Sequence, residues 1–239
     1  METGEARARV ESALKAVREH PFIVEAAAGT LTREQAIRWV CCAGRESRSF
    51  PWILRMLLTW IDNERVREIL QDNLDDELGN GDPDDAHFMH YVHLLDNLGV
   101  PRAEFDSYQE STGIRHALNL AFNMAACRRS GWAIGYMLVN EAMTPITYEA
   151  ARGALLPKFP HLVTNFFDLH VEVDEHHVAA LYEAVAELPA EESAALAFGI
   201  SVGQRGMELL LDEAYGVLDY HTEKIDIVAD RWNPASAVA

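Results

Sequence analysis

The sequence predicts an all-α protein built as a single bundle of seven to eight helices. Three observations point there. Apolar residues recur at helical spacing through most of the chain, no convincing run alternates with a strand's two-residue period, and Gly and Pro punctuate the pattern at helix-length intervals. The chain has 239 residues, 49% of them hydrophobic, which is enough for one substantial core. No repeat, low-complexity tract or interdomain linker divides it.

A first helix fits residues 4–19 and stops near Pro21. Thr32 follows as an N-cap, with Gln35 three residues on completing a capping box. The stretch it opens, REQAIRWVCCAGRESRSFPWILRMLLTWI, contains Pro51, which should kink or split the helix. Asp62 caps the next helix, which ends at the GNG of residues 79–81. Asp82-Pro83 reads as the N-cap and first residue of another, running through HFMHYVHLLDNLGV. Further helices fit residues 112–129, 131–152, 161–187 and 190–218. Residues 1–220 make the helical domain, and 221–239 read as a loosely attached tail.

Lys and Arg number 20 against 38 Asp and Glu, a formal charge of -18. That balance argues against nucleic acid as a partner, because phosphates need a basic face. Cys41, Cys42 and Cys127 make neither a disulfide framework nor a CxxC zinc pair. With no signal-peptide core at the N-terminus and no membrane-length apolar run, the expected location is the cytoplasm, without membrane association. A homodimer is the default expectation for assembly.

The segment NFFDLHVEVDEHHVAALYEAV carries the chemistry. On a helix, His170, Asp174 and His177 fall within roughly 40° of one another, close to the sector of Phe167, Val178 and Leu181. His176 points about 100° away. Burying two imidazoles and a carboxylate on an apolar stripe is costly unless something satisfies them. Glu46, Glu77, His87 and Glu141 sit in similar settings on other helices. Together the set holds four carboxylates and three imidazoles. Four negative charges neutralise two divalent cations, and mixed oxygen and nitrogen donors suit iron or manganese better than a sulfur-rich zinc site. A bundle core lined from facing helices is where such dimetal centres are built.

The ferritin-like plan needs Glu-x-x-His pairs, and this chain has none, so that plan is disfavoured. Ordinary alternatives stand beside each residue. A single His on a helix stripe is usually a hydrogen-bonded core group, a helix-end Glu such as Glu77 is usually solvated, and Glu46 has Arg45 and Arg48 as salt-bridge partners. His90, His93, His116, His161 and His176 are read as ordinary residues, and Cys41-Cys42 as helix packing.

On these residues the chain resembles the heme-oxygenase-like diiron oxidases and oxygenases, over residues 10–215 or so. The most specific match is the His-x3-Asp-x2-His run of His170, Asp174 and His177. A preceding Glu matches Glu141, and a Glu, Gly-containing turn and His match Glu77, GNG and His87. The first-helix carboxylate matches Glu46, with Asp75, Asp76 and Glu64 as nearby competitors. The resemblance implies a heme-oxygenase-like fold and two Fe(II) ions, with O2 as co-substrate. It implies oxidation of a small amine or amino acid, N-oxygenation first, with an external electron donor as a further partner. The alternative is oxidative C–C or C–N cleavage of an amino or fatty acid at the same centre. A related family on this fold, the thiamin-salvage hydrolases, uses a Cys nucleophile without metal, but nothing places Cys41 or Cys42 beside a clear base. Finally, Arg205 is the lone basic residue of ESAALAFGISVGQRGMELLLDEAYG and needs a carboxylate. Glu208 or Asp212 could supply it, or the substrate could, which makes Arg205 the substrate-binding candidate.

Overall fold

The computed structural model describes residues 3–109 and 112–217, for residues 3 and 171–175 the backbone alone. Among the described residues it contains ten α-helices, two 3-10 turns and no strand. In chain order these helices are α1 (Thr3–Arg18), α2 (Pro21–Ala28), α3 (Arg33–Leu58), α4 (Glu64–Glu77) and α5 (His87–Leu98). They continue with α6 (Arg102–Asp106), α7 (Thr112–Ala126), α8 (Ser130–Leu155), α9 (Asn165–Ala186) and α10 (Ser193–Tyr215). The segment expected as a tail, 221–239, lies outside the described residues.

The count exceeds the expected seven to eight because two short helices, α2 and α6, join them. Pro21 does close α1, but it also opens α2, with the His20 ring accepting from the Phe22 amide at 3.1 Å. Proline suits that first position, since its missing N–H would have had no helical partner. The capping box of Thr32 and Gln35 forms as expected. Asn63, not Asp62, caps α4 by accepting from Val66 N at 3.0 Å. Asp82-Pro83 caps a 3-10 turn, Pro83–Asp85, and α5 begins only at His87.

Pro51 splits nothing: α3 runs unbroken for 26 residues, as does α8 around Pro145. Tertiary packing outweighs the roughly 3 kcal/mol that an internal proline costs. Each proline lacks an N–H, so the helical bond to the carbonyl four residues earlier cannot form. Those carbonyls belong to Ser47 and Glu141.

Helix α8 is apolar nearly all round, with Ile134, Met137, Leu138, Val139 and Met143 fully buried. It therefore takes the centre of the bundle, packed against α10, α9, α2 and α1. Helices α3, α4, α5 and α9 gather at its other flank. Between α4 and α5 the chain reverses through Gly79, Asn80 and Gly81, all left-handed, with φ of 82°, 51° and 96°. A Cβ on Gly79 would run into the backbone of Asp82, Asp85 and Ala86, so this turn needs glycine there. The turn brings Glu77, the last residue of α4, opposite His87, the first of α5. Among the described residues no helix is long and apolar enough to cross a membrane.

Candidate metal centre

Five of the expected residues are buried side chains of the bundle interior: Glu77, His87, Glu141, His170 and His177 are each at most 8% exposed. Glu46 is half-buried on α3. Glu46, Glu77, Glu141 and His170 line one narrow cleft, together with Ser47, Phe50, Asn140, Thr144 and Tyr148. His87 and His177 adjoin it. His87 Nδ1 lies 3.0 Å from Glu77 Oε1, and its ring meets the His170 ring edge-on at 4.9 Å. His177 Nδ1 lies 3.7 Å from Glu141 Oε2, and its Nε2 lies 3.0 Å from Asp76 Oδ2. Asp174 lies outside the described side chains, although α9 runs through it. His176 is exposed and His177 buried, the rotation that helical spacing predicts.

The electrostatics follow from crowding acids and imidazoles away from water. Burial holds the Glu46 carboxyl above its usual range, and the charges of Glu141 and Glu77 push the same way against a hydrogen bond from Asn140. Burial lowers the His87 imidazole, but Glu77 outweighs it and leaves the ring above its ordinary value. Asp76 ends below its usual range, because the His177 and Asn80 hydrogen bonds outweigh its burial. His170 is pushed down to about 3, by burial first and then by His87. It is thus neutral near pH 7. Its Nδ1 donates to the Phe166 carbonyl at 2.7 Å, so its Nε2 carries the lone pair.

Two asparagines escaped the sequence reading. Asn140 donates to Glu46 Oε1 at 3.1 Å, and Asn73 donates to Glu141 Oε1 at 2.8 Å. Asn73 sits four residues before Glu77 on one face of α4, and Asn140 interrupts an apolar helix. Both were visible as buried polar intrusions of the kind that singled out His170. Asp76, named as a competitor of Glu46, turns to His177 instead, while Glu46 enters the cleft.

Arg205, the substrate-binding candidate, lies apart from these residues. It does not line the cleft; its side chain is 56% exposed and pairs with Glu208 Oε2 at 3.1 Å, one turn along α10. This is a surface ion pair, the internal alternative of the sequence reading.

The residues fit a metal in kind and in tautomer. Oxygen and imidazole donors come from α3, α4, α5, α8 and α9, and the Phe166 carbonyl orients the neutral His170 ring as it would orient a ligating imidazole. Among the described residues, no group of three or more His, Cys, Asp or Glu side chains is gathered tightly enough to hold an ion. The donors are instead spent on one another, in Glu77–His87 and Asp76–His177. Binding would exchange these pairings for metal bonds and release protons.

The sequence model of a protein family described as iron-containing redox enzyme matches residues 39–205. The chain belongs to that family. All seven metal-ligand candidates of this iron-containing redox enzyme fall inside the matched span. Solved structures share its fold at low identity. A CADD-like protein of unknown function from Nostoc punctiforme is 16% identical, with a TM-score of 0.73 over 91% of this chain and 99% of that one. A domain of unknown function with a heme oxygenase-like fold, from Shewanella denitrificans, is 12% identical, with a TM-score of 0.75 over 94% and 95%. A TenA homologue from P. horikoshii OT3 is 15% identical, with a TM-score of 0.68 over 90% and 98%. These TM-scores establish a heme oxygenase-like fold. Among curated proteins none matches the sequence.

Proposed function

We propose that this iron-containing redox enzyme is a non-heme diiron oxygenase that uses O2 to oxidise a small amine or amino acid, by N-oxygenation. The observation that supports it most is the gathering of Glu46, Glu77, Glu141 and His170 around one cleft, with His87 and His177 against two of those acids. Asp174, between His170 and His177 in the sequence of α9, would be the seventh ligand. Two Fe(II) ions bound there would supply the activation of O2, with electrons completed by an external donor.

The chain's own residues orient and neutralise. Asn140 and Asn73 each hold one oxygen of Glu46 and Glu141, leaving the other oxygen of each carboxylate for a ligand. The Phe166 carbonyl keeps the proton on His170 Nδ1 and so turns Nε2 into the donor atom. Phe50 and Tyr148 wall the cleft with aromatic surface. Oxidative C–C or C–N cleavage of an amino or fatty acid would use the same residues, and the products separate the two outcomes.

A thiol hydrolase is disfavoured by the cysteines themselves. Burial lifts Cys41 to about 11 and Cys42 well above its ordinary value, so neither is a thiolate near neutral pH. Neither cysteine lines the cleft.

Anaerobic Fe(II) titration followed by elemental analysis tests the proposal, with close to two irons expected per chain. Loss of an amine under O2, with a hydroxylamine or nitro product by mass spectrometry, is the expected activity. No iron, or a single site even with substrate present, would end the diiron reading.

A further inference from the structure

A second pocket reaches the candidate centre, between α4 and α9. It measures about 240 Å³, room for an ion with its waters, and shares no lining residue with the cleft. Two buried side chains form its inner end. One is His177, and the other is Asn73, whose Nδ2 donates to Glu141 Oε1 at 2.8 Å.

The walls of the two cavities differ in chemistry. Apart from the ligand candidates, the cleft is lined by Ser47, Phe50, Asn140, Thr144 and Tyr148, none of them charged. The pocket carries Asp72, Asp76 and Glu183. Asp72 and Asp76 lie one turn apart on the same face of α4. Asp72 is exposed, the Asp76 side chain is 28% exposed, and the His177 ring beyond it is 4% exposed, 3.0 Å from Asp76 Oδ2. The acids thus form a graded line from solvent to a ligand candidate. Arg65, the one Lys or Arg in this lining, is held by Glu183 at 2.6 Å and Glu68 at 3.1 Å.

Acids on a surface are ordinarily just solvated, but Asn73 sets these apart. It is 3% exposed, and its Oδ1 is buried with no hydrogen-bond partner among the described residues. Since Nδ2 is turned to Glu141, Oδ1 is the opposite arm of the amide, at the inner end of the pocket. A buried oxygen that can only accept costs energy unless something from outside meets it, and a cation does so.

We propose that this pocket is the port through which Fe(II) reaches the centre, with Asp72 and Asp76 drawing the ion in and Asn73 Oδ1 meeting it ahead of His177. A wall of one charge sign concentrates ions of the other and speeds their arrival. Carboxylate and amide oxygens can replace the waters of a divalent ion one at a time. Among the described residues no three metal-binding side chains converge tightly enough to hold an ion, so the strung-out acids pass it on rather than store it. Entry by this route leaves the cleft to the substrate. The inference rests on the diiron reading for the identity of the centre.

Anaerobic loading of metal-free protein with Fe(II) tests it, the rate read with a chromogenic chelator that reports the iron still free. At low ionic strength Asp72→Asn should slow loading roughly threefold, and Asp72→Asn combined with Glu183→Gln roughly tenfold, both reaching the final iron content of the unsubstituted protein. Added salt should narrow these differences. Asp75→Asn is the control: it removes the same charge from an exposed position of α4 outside the pocket and should load at the unsubstituted rate. Ala179→Phe, at an exposed position of the pocket wall, should slow loading at any salt concentration by obstruction, with Tm unchanged. Unslowed loading in both Asp72→Asn and Ala179→Phe, or equal slowing by Asp75→Asn, overturns the port while a normal iron content still upholds the diiron reading. A fall in final iron content without a change in rate would make Asp72 a ligand and overturn the port as well. Unsubstituted protein that takes up no iron overturns both.

Discussion

Gly44→Ala places one methyl group between the two helices that carry Glu46 and His87. A Cβ on Gly44 would lie 2.5 Å from Tyr91 Cε1 and closer still to Cζ and Oη. Carbon atoms prefer about 3.5–4.0 Å, so the ring would have to retreat by about an ångström or more. It has nowhere to go. Tyr91 is fully buried, packed on Phe105 at 5.2 Å and Phe166 at 5.5 Å, and its hydroxyl donates to the Val40 carbonyl at 2.8 Å. Alanine gains about 1 kcal/mol over glycine inside a helix. Overpacking costs about 1–3 kcal/mol, and loss of the Tyr91 hydrogen bond costs about 1 kcal/mol more. The net destabilisation is about 1–3 kcal/mol, or a fall in Tm of about 2–12 °C for a domain of this size.

Thermal unfolding by circular dichroism reads this directly. Gly153→Ala is the control, since Gly153 is exposed on α8 and a Cβ there meets nothing within 4 Å; its Tm should hold or rise. Forcing α5 from α3 should also move His87 relative to Glu46 and reduce iron loading in Gly44→Ala. A Tm for Gly44→Ala equal to or above that of the unsubstituted protein would show that α3 and α5 do not pack through this contact.

His177→Ala should abolish iron binding and activity while His176→Ala leaves both intact, because only His177 turns inward; equal losses, read by elemental analysis, would put the centre elsewhere. Arg205→Ala should leave the substrate saturation curve and the Tm nearly unchanged, since an exposed i,i+3 pair contributes at most about 1 kcal/mol; a clear rise in KM would return Arg205 to the site. Native protein should show one rapidly reacting thiol at pH 8, Cys127, and three in denaturant, by titration with a chromogenic disulfide. With Cys41 lifted to about 11, its thiolate fraction at pH 8 is about one in a thousand, and it grows as pH rises toward that value. Fast reaction of a second native thiol would contradict the burial of Cys41 and Cys42.

What the sequence determined by itself was local. Helical class, the Thr32 capping box, and the inward turn of His170 and His177 with His176 outward all follow from spacing within one helix, which backbone geometry enforces. Even local rules failed where packing opposed them: Pro51 carries a helix-breaking cost, yet α3 continues through it, packed against α10, α7, α4 and α8. Everything that depends on one helix meeting another was decided only in three dimensions. Glu46 enters the cleft while Asp76 turns to His177, although both are acids within reach in sequence. Asn140 and Asn73 become the carboxylates' partners, and Arg205 pairs with Glu208. Periodicity sets which face of a helix is buried, but not how far it slides along its neighbour or how closely the two approach. That approach is set by single residues, such as Gly44 under the Tyr91 ring, whose role appears only when both helices are in place.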